Sequence, residues 1–235
     1  MTTEYETTTL DLLRHGECEG GHIFRGTTDV PLLPSGLALM KAVSHEVLSS
    51  KGGWDVVVSS PKRRCLAFSE SLTKEQKIPL VIEPLLAEMN FGEWEGKEIS
   101  QVWNDYPDEM AQWSGNPSKF TPPKGESITS VYERVKQFYS QLLEQYRSQR
   151  ILLVTHGGII RVFLTHLLNM SLANVNRFDV PYAAISRFSI FHSEQEDIVK
   201  LIAHNFCGHH AFSAGFVERD APEVSEESDQ TSRKN

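Results

Sequence analysis

Short runs of consecutive apolar residues alternate along this chain with segments whose apolar positions recur every three or four residues. Thr9 to Leu13 read as a strand buried on both faces, and the run breaks at the polar, turn-compatible group Arg14-His15-Gly16-Glu17. After a glycine-rich stretch and Pro31, Leu39, Val43 and Val47 form an apolar helical stripe, with Ser35 predicted to begin the helix and Gly52 to end it. Trp54 to Ser59 give a second buried strand, followed by Ser60-Pro61, where proline suits the first position of another helix. Leu80 to Ile82 form a third strand, and LLAEMNFGEWEGKE after it reads as a structured loop.

Residues 107–126 carry four prolines and Trp113, which predicts an irregular insertion able to roof a pocket; Trp113 itself reads as part of a packed loop. Ile128, Val131, Val135, Phe138 and Leu142 then mark a helix with Ser127 as N-cap. Ile151 to Val154 make a fourth buried strand, and Thr155-His156-Gly157-Gly158 turn the chain into an apolar helix over Ile159 to Leu168. Ala184 to Phe191 and Ile198 to Ala203 are the last two predicted strands. Strands alternating with amphipathic helices predict an α/β fold, a sheet covered on both faces. From Glu218 onward, six acidic and three basic residues with few apolar side chains predict a disordered tail over 218–235. One domain is therefore expected over 1–217, with the insertion at about 97–126 bordering the pocket.

Charge and composition narrow the class. The 235 residues are 40% hydrophobic, enough for a core, and the net charge of -8 argues against affinity for nucleic acid or an anionic membrane. Cys18, Cys65 and Cys207 lack CxxC spacing, so neither a disulfide framework nor a zinc ribbon is expected, and a cytoplasmic location fits. No signal peptide or membrane anchor is expected from the N-terminal sequence or from any apolar run. His204, Cys207, His209 and His210 lie close together but match no zinc spacing, and no metal site is expected.

Four polar groups stand at predicted strand ends: Arg14-His15, Arg63-Arg64, Glu88 and His156. In open α/β sheets, ligands collect outside the carboxyl ends of the strands. Arg63 and Arg64 occupy a helix's first turn, where the helix dipole does not favour cations, so another requirement must place them there. Guanidinium and imidazole groups brought together suit a phosphoryl dianion. Phosphoryl transfer is catalysed mainly by positioning and by neutralising the equatorial oxygens. A neutral histidine is able to attack phosphorus with one ring nitrogen while the other is held as N–H, and Glu88 is the best-placed carboxylic acid to protonate the leaving group.

The motifs LLRHGE, VSSPKRRCLAFSE, LLAEMNFGEWEG and LLVTHGG resemble, in order and approximate spacing over residues 7–210, those of the histidine phosphatase superfamily, also called phosphoglycerate mutase-like. The resemblance implies a three-layer α/β/α sandwich with a mainly parallel central sheet, and metal-independent, cofactor-free hydrolysis of a small phosphorylated metabolite. It places His15 on the phosphorylated histidine, Arg14 on the arginine before it, Glu88 on the general acid and base, and His156 with its neighbour Gly157 on the second phosphate-binding segment. Matching SSPKRRC to SSPxxRA places Arg64 on the phosphate-binding arginine and leaves Arg63 variable. Glu93 and Glu95 read as solvated or structural.

A narrower similarity, RHGECEGGHIFRGTTDVPLLPSG, is to alpha-ribazole phosphatases of cobalamin synthesis, and it implies alpha-ribazole 5'-phosphate as substrate with Arg25 and Gly26 lining the site. The chain departs from the family pattern in having Gly21 where many members have Asn, Cys18 where Thr is usual, and Cys65 for a small Ala, the last expected to be a packing change. A cofactor-dependent phosphoglycerate mutase is the alternative, disfavoured because only 67 residues separate Glu88 from His156 where mutases usually carry a longer insertion. A broad small-metabolite phosphatase is a further alternative. A non-catalytic binding protein of the same fold is disfavoured because each matched catalytic position holds the expected residue type. A homodimer is the expected assembly.

Overall fold

Strand β1 (Thr7–Arg14) shows why continuous apolar runs became central strands: Leu10 and Leu12 face one hydrophobic layer and Leu13 the other, all fully buried. The computed structural model describes residues 6–207. β2 (Val56–Ser59) and β4 (Arg150–Thr155) repeat the alternation, with Val56, Val58, Ile151 and Leu153 on the first side and Val57, Leu152 and Val154 on the second. With β3 (Leu80–Ile82), β5 (Ile185–Phe191) and β6 (Ile198–Phe206) they form a six-stranded sheet in the order β3-β2-β4-β1-β5-β6. The first four strands of that order run parallel, and β5 and β6 add antiparallel to one edge.

Helices α1 (Pro34–Lys51) and α2 (Arg63–Gln76) cover one face, through Met40, Val43, Val47, Phe68 and Leu72. Helices α5 (Ile128–Gln145) and α6 (Gly157–Leu167) cover the other, so the architecture is the expected three-layer α/β/α sandwich. The predicted α5 stripe of Ile128, Val131, Val135, Phe138 and Leu142 is buried, and the Ser127 hydroxyl accepts from the Ser130 N–H at 3.1 Å as a helix cap does.

Several boundaries differ from the sequence reading. Helix α1 begins at Pro34, with Leu33 rather than Ser35 at its entry. Helix α2 begins at Arg63 and leaves Pro61 outside, because Lys62 stays extended. The stretch expected to be irregular over 107–126 is instead largely helical. Helix α3 (Ile99–Asp105) precedes it, and α4 (Pro107–Gly115) uses Pro107 in its first turn beside Asp108 and Glu109, which complement the dipole. Val102 and Met110 anchor these two helices in a small core with Phe24 and Trp94.

Asp11, fully buried in β1, is paired by Arg187 at 2.6 and 2.7 Å and by the Trp54 indole N–H at 2.7 Å, so its charge is compensated inside the sheet. No helix among the described residues is long and apolar enough to cross a membrane. The predicted tail and His209 and His210 lie outside the described residues. Within them, His204 Nδ1 is 2.8 Å from the Ser186 hydroxyl and Cys207 Sγ donates to the Asn205 carbonyl.

Candidate active site

The carboxyl ends of β1, β2 and β4 lie level, because Arg14 is in register with Thr155 and Ser59 with Val154. Backbone bonds carry the alignment one residue further, His15 N–H donating to Thr155 O and Ser60 N–H to Val154 O, each at 2.9 Å. His15, Ser60 and His156 therefore meet at one end of the sheet. The rings of His15 and His156 stand edge to face, 5.2 Å between centroids.

His15 is 5% exposed, and its Nδ1 lies 2.8 Å from the carbonyl oxygen of Gly16. A carbonyl only accepts, so Nδ1 carries the proton and Nε2 keeps a free lone pair. Burial, then the charges of Arg14 and Arg64, hold the imidazole pKa well below its ordinary value, which keeps the ring neutral and nucleophilic. Gly16 is required for this geometry: a Cβ there would come within 2.3 Å of the Gly36 carbonyl oxygen. The Cys18 thiol lies 3.5 Å from the same Nδ1.

A cleft of about 480 Å³ opens over His15, and Arg14, Arg25, Glu88 and Gly157 line it as well. Arg14 donates to Val180 O and stacks its guanidinium 4.1 Å above the Tyr182 ring, while Arg25 donates to the Glu19 and Gly21 carbonyls at 2.7 and 3.0 Å. Glu88 arrives from the loop after β3 and accepts from its neighbour Met89 N–H at 2.9 Å and from Gly158 N–H at 3.0 Å. The second bond seats the carboxylate on the N-terminus of α6, where the helix dipole favours negative charge. Gly158 makes that approach possible, since a Cβ would lie 2.5 Å from Glu88 Oε1.

Arg64 and His156 stand one layer deeper, both fully buried. Arg64 Nε donates to His156 Nδ1 at 3.2 Å, and its Nη groups donate to the carbonyls of Thr28, Arg25 and Gly26. His156 Nε2, 2.7 Å from the Ser60 hydroxyl, must then carry that ring's proton. This accounts for an arginine in the first turn of α2: Arg64 points back into the sheet end, and Arg63 stays exposed. Cys65 is fully buried behind His156, 3.7 Å from Nε2, as a packing residue.

Gly26 does not line the cleft. It is packed against the Met89 carbonyl, where a Cβ would approach to 1.8 Å, and its N–H donates to Glu95. Glu95, which the sequence left among solvated or structural residues, gathers the N–H groups of Gly26, Thr27, Thr28 and Phe91 and the Thr28 hydroxyl. It thereby ties the Arg25 loop to the segment that carries Glu88. Gly21, in the position where Asn was expected, has φ +68, a conformation that glycine adopts freely and asparagine tolerates. Sequence reasoning passed over Arg161, Tyr182 and Trp103, which also line the cleft.

Burial and the charge of Arg64 likewise hold the His156 pKa well below its ordinary value. Each of these two histidines takes up a proton near pH 6.5 when unfolded and resists doing so when folded. Their contribution to stability is therefore present above about pH 6.5 and is lost as pH falls below it. Urea titrations should show stability dropping by up to about 1.4 kcal/mol per pH unit for each histidine just below pH 6.5, and His15→Asn should flatten the slope. An unchanged slope in that variant would show that His15 titrates normally.

The chain belongs to the histidine phosphatase superfamily (branch 1), whose family model matches residues 10–202. It is 29% identical over 200 residues to a putative phosphoserine phosphatase 2 of Hydrogenobacter thermophilus, covering 84% of this chain and 96% of that one. It is 28% identical over 181 residues to the adenosylcobalamin/alpha-ribazole phosphatase of Salmonella typhimurium, covering 76% and 89%. Its fold superposes on that of a mycobacterial glucosyl-3-phosphoglycerate phosphatase with a TM-score of 0.76 at 24% identity, over 85% and 99% of the chains. The chain is a phosphatase of this superfamily.

Proposed function

We propose that the protein hydrolyses a small phosphomonoester through a phosphohistidine at His15, and that alpha-ribazole 5'-phosphate is its substrate. The observation that carries the chemistry is the Nδ1–Gly16 carbonyl bond, which leaves Nε2 of a neutral buried imidazole as the only nucleophilic nitrogen of that ring. Nε2 attacks phosphorus, the ester P–O bond breaks, and Glu88 gives its proton to the departing alkoxide. Water then attacks the phosphohistidine, passes a proton to Glu88, and releases inorganic phosphate with Nε2 restored. The Nδ1–H bond to Gly16 persists and stabilises the charge on the phosphorylated ring. Arg14 and Arg25 neutralise phosphoryl oxygens from the cleft wall, Arg64 adds positive field from beneath, and the neutral His156 ring that Arg64 holds packs edge to face against His15.

The substrate assignment rests on the RHGECEGGHIFRG segment and on the alpha-ribazole phosphatases among the relatives. A panel of alpha-ribazole 5'-phosphate, phosphoserine and 3-phosphoglycerate, with and without a bisphosphoglycerate primer, tests it. The highest kcat/KM is expected for alpha-ribazole 5'-phosphate, with phosphate released. Primer-dependent isomerisation of 3-phosphoglycerate faster than phosphate release would establish a mutase instead.

A further inference from the structure

Large apolar side chains seldom stand in water without a use when they gather in a concave site. Ile99 and Trp103, 38% and 40% exposed, are such a pair, four residues apart on one face of α3, and both line the cleft that holds His15 and Glu88. The helix is not loosely attached. Val102, between the two in sequence, is fully buried in a cluster with Phe24, Trp94 and Met110. Its first turn is tied to the segment before Arg25 by Ile99 N–H donating to His22 O at 3.0 Å and Phe24 N–H to Lys97 O at 3.0 Å, which sets Ile23 beside Ile99 and Trp103 in the same wall. Arg161, Asn176 and Asp179 also line this cleft and supply polar groups. Two of these are anchored, Arg161 Nε donating to Phe178 O and Asn176 Nδ2 to Trp113 O, each at 2.8 Å.

A small polar alcohol would leave this apolar wall wet, and the cavity, about 480 Å³, is larger than such an alcohol needs. We infer that Ile23, Ile99 and Trp103 form a leaving-group subsite for a flat, apolar ring system, with Trp103 as the specificity-determining side chain and the polar groups left to meet hydroxyls on the same alcohol. This inference rests on the hydrolase reading above and narrows its substrate class.

The test uses the full chain with two esters of similar alkoxide basicity, naphthylmethyl phosphate and glycerol 1-phosphate. Stacking on an aromatic side chain sets the scale. Trp103→Ala should lower kcat/KM for naphthylmethyl phosphate by about 10-fold, through KM, and change glycerol 1-phosphate by less than about 2-fold, while Trp103→Phe should restore most of the loss. An equal loss on both esters, or none on either, overturns the subsite. If wild type turns over neither ester, the substrate panel above decides the hydrolase reading separately, and calorimetric titration of naphthylmethyl phosphate into wild type and Trp103→Ala decides the subsite: weaker binding in the variant supports it and equal affinity overturns it. Sedimentation velocity completes the set, because loss of a dimer on Trp103→Ala would assign the wall to contact between copies of this chain and overturn the proposal.

Discussion

His15→Ala should lose on the order of 10⁴-fold or more in the rate of phosphate release, while its thermal midpoint stays within a few degrees of wild type. Loss of a nucleophile differs from loss of a binding group because the whole two-step path disappears, leaving only the positioning of substrate by Arg14 and Arg25. The ring makes one bond to Gly16 O and packs against His156 and Tyr182, so truncation removes chemistry more than support. Equal turnover by His15→Ala and wild type would mean that another group attacks phosphorus.

The second large effect is expected at Glu88. Glu88→Gln keeps one acceptor oxygen, enough for either the Met89 or the Gly158 N–H but not both, since Glu88 takes them on separate oxygens, and it cannot donate a proton to an alkoxide. kcat/KM, which reports the phosphorylation step alone, should fall by about 10² to 10⁴ for an alkyl phosphate, and much less for 4-nitrophenyl phosphate, whose leaving group departs without protonation. Loss of equal size on both esters would place Glu88 in binding rather than proton transfer. The comparison also separates it from Glu95: Glu95→Gln should affect both esters alike, because that carboxylate organises the Arg25 loop and does not line the cleft.

Much of this arrangement was legible along the chain, for physical reasons that differ by element. β1, β2 and β4 are buried on both faces, so unbroken apolar runs were an adequate sign, and α5 announced itself by a wide stripe with a serine cap. Helices α3 and α4 were missed because each is short, each buries a single residue, Val102 or Met110, and prolines dominate the neighbouring sequence. A proline in a first turn, as Pro107 proves to be, reads identically to a proline in a loop. The missed α3 is why Trp103 escaped notice: only a helix puts Ile99 and Trp103 on one wall.

The site divides along similar lines. His15, Glu88 and Arg14 stand in motifs at strand or loop ends, and the structure brings them to one cleft. Arg25 joins them while its neighbour Gly26 does not, because glycine there serves close packing on the Met89 carbonyl. Arg161 and Tyr182 reach the cleft from a helix interior and a late loop, and no local pattern marks them. Arg64 illustrates a limit of motif matching. Its type and position were evident, but that its donors hold His156 and three loop carbonyls became visible only in three dimensions.

Alkaline quenching of the enzyme during turnover of a ³²P-labelled alkyl phosphate, followed by peptide mapping, tests the nucleophile directly, since phosphorus on an imidazole nitrogen survives base and is lost in acid. The label should appear on His15, turn over with unlabelled substrate, and accumulate in Glu88→Gln when 4-nitrophenyl phosphate is the donor. Label on His156 or another residue, or steady-state turnover with no labelled histidine in either enzyme, would contradict the account.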